Sequence, residues 1–178
     1  MIGSCWHVIY TKSRHEKVVH QELMKKGIDS FLPMMRQCRQ WSDRKKWVEV
    51  PMFSSYVFVH PLPAQRESVL TVAGASRYIM FNGRKAVVRE HEIEFLRRVQ
   101  AGETQIEIVP QTFQDKREVA ITSGPFEGFK GRLLHRYSDG KIAVCLEEIG
   151  YSIVIQKGEN EFSFQDDIHS EELVSSTL

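Results

Sequence analysis

The chain lacks any apolar run near the roughly 20 residues that a membrane-spanning helix needs. Its first residues, MIGSCWHVIYTKSRHEK, contain no signal-peptide apolar core. A cytoplasmic protein with no membrane partner is therefore expected. Cysteine is scarce: Cys5, Cys38 and Cys145 are odd in number, far apart and without a CxxC. That excludes a disulfide framework or a zinc site and leaves buried or half-buried thiols. The motifs HExxH, GxSxG and GxxxxGK[ST] are missing from a chain with seven histidines. Cys5 and His7 share a strand with no orienting acid, and His60 beside Pro61 reads as a strand end. No catalytic residue, metal or cofactor is called for, and the chain does not read as an enzyme.

What the chain has is charge, unevenly spread. The formal net charge is only +1, yet residues 1–105 hold 17 Lys/Arg against 10 Asp/Glu, a net +7, and residues 106–178 hold 7 against 13, a net −6. Such a division points to two domains with different partners, the basic one facing nucleic acid or an acidic surface. The alternative is that the charges only solvate the surface.

Residues 51–60, PMFSSYVFVH, read as a strand with apolar groups on both faces. With a period of two, Phe53, Val57 and Val59 fall on one face and Tyr56 and Phe58 on the other. Either the strand is covered on both sides, or one face is kept apolar for a partner.

Ahead of it, CWHVIY at 5–10 reads as a first strand. Ser13 and Glu16 stand at capping-box spacing, so a helix should begin there, with Val18, Val19 and Leu23 as its stripe and Gly27 as its stop. Residues 28–39 are strand-like and become basic. With Val48, Glu49 and Val50 they form a long hairpin, turning at Ser42–Asp43. Residues 36–46 hold five Lys/Arg and one acid, flanked by Trp41 and Trp47. Basic residues interleaved with an indole can meet phosphates and stack on exposed bases, or simply solvate a turn. After residue 60 the pattern predicts a short helix over 64–72, a strand over 77–81, a tight turn at Asn82–Gly83 and a strand at 86–88. A helix over 90–101 follows, carrying Ile93, Leu96 and Val99. This order is α+β, close to the ferredoxin-like split βαβ arrangement.

Residues 106–115 read as a linker, Pro110 included. Beyond it come short strands at 118–122, 132–137, 141–147 and 151–155, joined through Ser123-Gly124-Pro125, Asp139–Gly140 and Gly150. They make a small all-β barrel over 116–157, with Gly128 and Gly131 at its bends. Residues 158–178 read as a loose polar, acidic tail.

The strand W-x-V-x-Y, the basic helix and P-M-F-S-S-Y-V-F-V resemble the N-terminal (NGN) domain of the NusG family of transcription elongation factors. V-x-I-x-x-G-P-F-E-G-F-x-G, with Gly124, Phe126, Gly128 and Gly131, resembles the KOW module that follows it there. The segment from Ser13-Arg14-His15-Glu16-Lys17 through Gln40 to Lys46 is similar to the UpxY-type specialised paralogues, which act on surface-polysaccharide operons.

The resemblance implies an NGN domain over 1–105 that docks on the clamp helices of RNA polymerase through Tyr10, Phe53, Tyr56 and Phe58. Gln65 and Arg66 would lie where relatives touch the polymerase gate loop, though without the threonine-rich version's residue types. Lys12, Arg14, Lys25 and Lys26 would meet the non-template strand, and Arg44, Lys45 and Lys46 the upstream DNA. The family departs from this sequence where Ser54-Ser55 replaces its usual Pro-Gly. The implied role is to suppress pausing or termination, as a monomer whose KOW domain recruits a ribosomal protein or termination factor. A general housekeeping NusG factor is one alternative. A KOW-containing ribosomal or RNA-binding protein is the other, and it would need a basic second half, which here is acidic.

Overall fold

The computed structural model describes residues 5–40, 44–102, 106–110, 118–133, 141–156 and 162–164, divided between two compact units, Met1–Gln100 and Ala101–Leu178. In the first unit, β1 (Trp6–Thr11) pairs on one side with β5 (Tyr56–His60). Its other side is shared by β6 (Ala75–Tyr78) and β9 (Val87–Val88), and β2 (Asp29–Phe31) lies beyond β5. Every pairing is antiparallel. Hence β2 runs parallel to β1 with β5 between them, and β6 runs parallel to β5 with β1 between them. These are two interleaved split crossovers, the ferredoxin-like arrangement.

The first crossover is α1 (Glu16–Lys25), and the second is a pair of 3-10 turns, Pro63–Gln65 and Ser68–Thr71. These two turns stand where a helix was expected over 64–72, and between them the Arg66 carbonyl accepts from the Tyr78 hydroxyl at 2.7 Å. Ile9, Val57, Val59 and Tyr78 pack with Val19 and Leu23 of α1 and with Ile28, Leu32, Val69 and Val72. The opposite face carries Trp6, Val8 and Phe58, all buried. There α2 (Glu90–Ala101) lies, tied by Trp6 Nε1 donating to Glu90 (2.7 Å) and Met34 N–H donating to Gln100 (2.9 Å). The Arg97 guanidinium sits 5.8 Å from the Trp6 ring and 5.7 Å from Phe31. Val57, Phe58 and Val59 are each fully buried, so β5 is a doubly covered core strand.

Two local expectations change. Ser55 adopts a left-handed φ of 65°, and the strand begins only at Tyr56. The alternation is broken there, and Phe53 packs against Phe58 at 5.9 Å instead of joining Val57 and Val59. The capping box also does not form: His15 is the N-cap and makes no side-chain cap bond. Glu16 turns inward, and its Oε1 accepts the Ser55 N–H at 2.7 Å. A chain reversing at Ser54–Ser55 strands that N–H away from any ladder, and a buried donor needs a partner more than a surface helix end does. Val18, half exposed, lies off the stripe.

The expected strand over 28–39 breaks at Leu32–Pro33 into β2 and β3 (Met34–Gln40). β3 forms a two-stranded arm with β4 (Lys45–Pro51); Trp41, Ser42 and Asp43 lie outside the described residues. A second hairpin, β7 (Met80–Phe81) with β8 (Arg84–Lys85), turns through Asn82 and Gly83 at φ 48° and 75°, as Asn-Gly favours. It interrupts one edge strand, since Ile79 N–H donates to Val8 O and Val87 resumes opposite His7.

The second unit is a six-stranded antiparallel sheet. Its order is β10 (Ile106–Pro110), β14 (Tyr151–Gln156), β13 (Lys141–Leu146), β12 (Lys130–Leu133), β11 (Glu118–Ile121) and β15 (Phe162–Phe164). Residues 106–110, expected as linker, are thus a strand. Ile106-Glu-Ile-Val supplies a short β-prone run that β14 completes residue for residue. Residues 162–164, expected in the tail, pair with β11. The expected strand segment 134–137, the Asp139–Gly140 turn, the rest of the linker and most of the tail lie outside the described residues. Val119, Ile121, Phe126, Ile142, Leu146, Ile153 and Ile155 are buried.

Removing the acceptor that holds the Ser54–Ser55 reversal has a definite cost. Glu16→Ala is expected to lower stability by about 1–3 kcal/mol, the penalty of an unsatisfied buried N–H, with Glu16→Gln losing less because it keeps an oxygen. Urea unfolding measures this, and an unchanged midpoint for Glu16→Ala would contradict the role given to the carboxylate.

Candidate functional site

The aromatic residues singled out from the sequence converge on one face of the first sheet, but they are not equivalent. Tyr10 and Tyr56 stand directly opposite each other across β1 and β5, with ring centroids 6.1 Å apart at 70°. The Arg77 guanidinium from β6 lies 4.9 Å from the Tyr10 ring centre. Both tyrosines are half-buried and Arg77 is exposed. Beneath and beside them, Phe58 contacts Phe53 and Phe31, the latter at 6.3 Å. Phe53 is 2% exposed and Phe58 0%, so these two offer no area and instead fix the tyrosines' platform. Arg77 has no periodic signal in the sequence; only the register Tyr10↔Arg77 brings it in.

Gln65 and Arg66 are committed internally. Gln65 Oε1 accepts from Leu62 N–H (3.0 Å) and its Nε2 donates to the Gly27 carbonyl (3.2 Å), stapling a 3-10 turn to the end of α1. Arg66 gives its carbonyl to Tyr78, and its own Nε is buried. Burial pushes the Tyr78 hydroxyl up to about 12, against a smaller opposing pull from the Arg66 charge, so it remains a donor. Gln65 and Arg66 are both half-buried.

The basic residues fall into three places. Lys12 and Arg14 precede α1 and are exposed. Lys25 and Lys26 lie at its other end, about 15 Å away along a ten-residue helix. Lys25 Nζ contacts Glu22 at 2.6 Å, an exposed pair of little energetic weight, and Lys26 Nζ donates to Thr71 at 2.9 Å. The structure therefore does not gather this set into one patch. Arg44, Lys45 and Lys46 sit on the arm, where Lys45 pairs with Gln40 and Lys46 with Arg39. Cys38, expected to be buried or half-buried, is exposed on β3 opposite Trp47.

In the second unit the glycine motif shapes the β11–β12 connection. Gly124 and Gly128 have φ of 91° and 85°, Gly128 N–H donates to Ile121 O at 2.9 Å, and Phe126 is fully buried. A Cβ at Gly131 would sit 2.5 Å from Ile142 Cγ2; the close approach of β12 to β13 requires its absence. These four residues are structural.

Cys5 Sγ lies 3.3 Å from His7 Nε2, whose Nδ1 faces the Ala86 carbonyl at 2.9 Å in place of an acid. His60 stacks on Trp6 at 4.9 Å. Among the described residues no three His, Cys, Asp or Glu side chains are placed to hold a metal, and no helix is long and apolar enough to cross a membrane.

The architecture is thus α+β: a ferredoxin-like unit with a half-open aromatic face and a basic arm, followed by an all-β unit. The family model described as transcription termination factor nusG matches residues 4–97. A solved structure of Thermotoga maritima NusG, described as showing domain interaction, is 21% identical. The match covers 90% of this chain and 97% of that one, with a TM-score of 0.52. An MjSpt4:Spt5 complex structure is 15% identical over 89% of this chain and 98% of that one, at a TM-score of 0.27. The chain belongs to the NusG family of transcription factors.

On α1, His20 gives the unit a pH dependence. Ser30 Oγ donates to the His20 carbonyl, so His20 Nδ1 donates to Ser30 Oγ at 2.8 Å. Burial lowers its pKa below 6.5, only partly offset by Asp29. The unfolded chain then binds the proton more readily, so this contribution is full above pH 6.5 and is lost as pH falls below it. The stability gap between the parent and His20→Asn, measured by urea unfolding, is expected to shrink on acidification through that window. A gap independent of pH would contradict it.

Proposed function

We propose that this protein is a transcription elongation regulator that binds RNA polymerase and suppresses pausing or termination, acting as an operon-specific NusG paralogue for surface-polysaccharide genes. The observation that carries the reading is the Tyr10–Tyr56–Arg77 group, half-open on a sheet face where Trp6 and Phe58 are buried and Phe31 is half-buried. Tyrosine and arginine over an apolar base are the residue types that dominate binding energy at protein interfaces. The clamp helices of the polymerase are the partner, with Phe53 and Phe58 as support. Binding the elongating conformation better than the paused one is sufficient to suppress pausing.

Lys12, Arg14, Lys25 and Lys26 contact the non-template strand at two separate points. Arg44, Lys45 and Lys46 meet upstream DNA through its phosphates. The second unit acts as a KOW module that recruits a ribosomal protein or termination factor, and the protein works as a cytoplasmic monomer. The specialised assignment is supported by Ser13 to Lys17 together with Gln40 to Lys46. The net −6 of residues 106–178 disfavours a passive RNA-binding role for that half.

Tyr10→Ala and Tyr56→Ala are each expected to weaken polymerase binding about 30-fold, the effect of truncating an interface anchor worth about 2 kcal/mol, with the fold intact. Phe58→Ala is instead expected to cost about 3–5 kcal/mol of stability. Titration against the polymerase alongside thermal melts separates the two. Unchanged affinity in both tyrosine variants would overturn the docking surface.

A further inference from the structure

Cys5 and His7 form a thiol–imidazole pair that polymerase docking does not use. His7 lies on β1 in the row of the sheet that Ile9, Val57 and Val59 fill with aliphatic side chains. It is only 5% exposed, so a titratable ring stands in the core where its neighbours are apolar. Strand alternation turns it away from Trp6, Val8 and Tyr10, and so away from the docking face.

Two contacts fix the state of the ring. His7 Nδ1 lies 2.9 Å from the Ala86 carbonyl oxygen. A carbonyl only accepts, so Nδ1 carries the proton and Nε2 of the neutral ring is the bare acceptor. That carbonyl is itself held in place: the Ala86 N–H donates to Ile79 O at 2.9 Å, and the next residue, Val87, is in register with His7. The Cys5 thiol, with Sγ 3.3 Å from Nε2, is then the donor. The Tyr78 ring meets His7 edge-on at 5.7 Å, with its hydroxyl committed to the Arg66 carbonyl. Cys5 is half-buried rather than sealed. A thiol kept for packing alone is buried whole and inert, whereas a partly open one beside a proton acceptor is the arrangement that makes sulfur a nucleophile. Among the described residues neither the exposed Cys38 nor the half-buried Cys145 is hydrogen-bonded to an imidazole.

We propose that Cys5 is an oxidation site for small hydroperoxides, with His7 as its proton relay. The sulfur attacks one peroxide oxygen, so that an S–O bond forms as the O–O bond breaks. The thiol proton passes to His7 Nε2 and from there to the departing oxygen, which leaves as water or an alcohol. The thiol is oxidised to a sulfenic acid and the hydroperoxide is reduced, so the step needs no further oxidant or reductant. The Nδ1–H bond to Ala86 holds the ring in place while Nε2 carries the proton.

The test treats the full-length protein with hydrogen peroxide, traps sulfenic acids with dimedone and follows each cysteine by peptide mass spectrometry. Cys5 is expected to be labelled at least about tenfold faster than Cys38, against the order that exposure alone gives, because a positioned proton acceptor contributes more than that. His7→Gln can keep the bonds to Ala86 and Cys5 through its amide but cannot take up a proton. It is expected to remove the advantage of Cys5 while leaving the Cys38 rate unchanged, with thermal melts checking the fold. If that variant does not fold, the comparison of Cys5 with Cys38 in the parent decides alone. Labelling of Cys38 ahead of Cys5 would overturn the proposal, as would an unchanged Cys5 rate in folded His7→Gln.

Discussion

The pairing of β1 with β5 is the constraint on which the first unit depends. Three consecutive residues of β5, Val57, Phe58 and Val59, have no exposed surface, so the sheet must be covered on both faces. Burying a side chain of this size is worth about 1.5–3 kcal/mol. α1 and the 3-10 turns cover one side, and α2 reaches the other through Trp6, Phe31 and Met34. Toward the other end of this pairing stand Tyr10 and Tyr56, side chains with an apolar body and a polar tip, which tolerate half-burial.

Much of this was legible in the sequence. The apolar strand over 56–59, α2, the long basic hairpin and the Asn82–Gly83 turn each follow from local pattern. The misreadings share one cause, a distant partner outweighing a local signal. Ser13 and Glu16 have capping-box spacing, yet Glu16 serves Ser55, which is 39 residues away. Phe53 keeps strand spacing with Val57, yet a left-handed Ser55 rotates it onto Phe58. Residues 106–110 carry too short an alternation to declare a strand, and only β14 makes them one.

The depth of the candidate residues was not legible in the sequence. Aromatic identity marked Tyr10, Phe53, Tyr56 and Phe58 alike, and nothing in the spacing separates the two that are open from the two that are sealed. Arg77 enters only through a cross-strand register containing an irregularity at Tyr10–Thr11. The bonds of Gln65 to Gly27 and of the Arg66 carbonyl to Tyr78 are not legible in the local sequence, because their partners are distant along the chain. The arm is the converse case: with little packing to compete, its strand pattern and its basic, tryptophan-bearing character are nearly the whole story.

The central claim is that one end of a sheet face, set by Tyr10, Tyr56 and Arg77, is the docking surface. Mapping amide chemical-shift changes across the full-length chain, on titration with the clamp-helix segment of RNA polymerase, tests it most directly. The largest changes are expected at Tyr10, Tyr56 and Arg77 and their strand neighbours, with α1's outer residues Val18 and Met24 unaffected. Changes confined to that outer face of α1, or to the second unit, would contradict it.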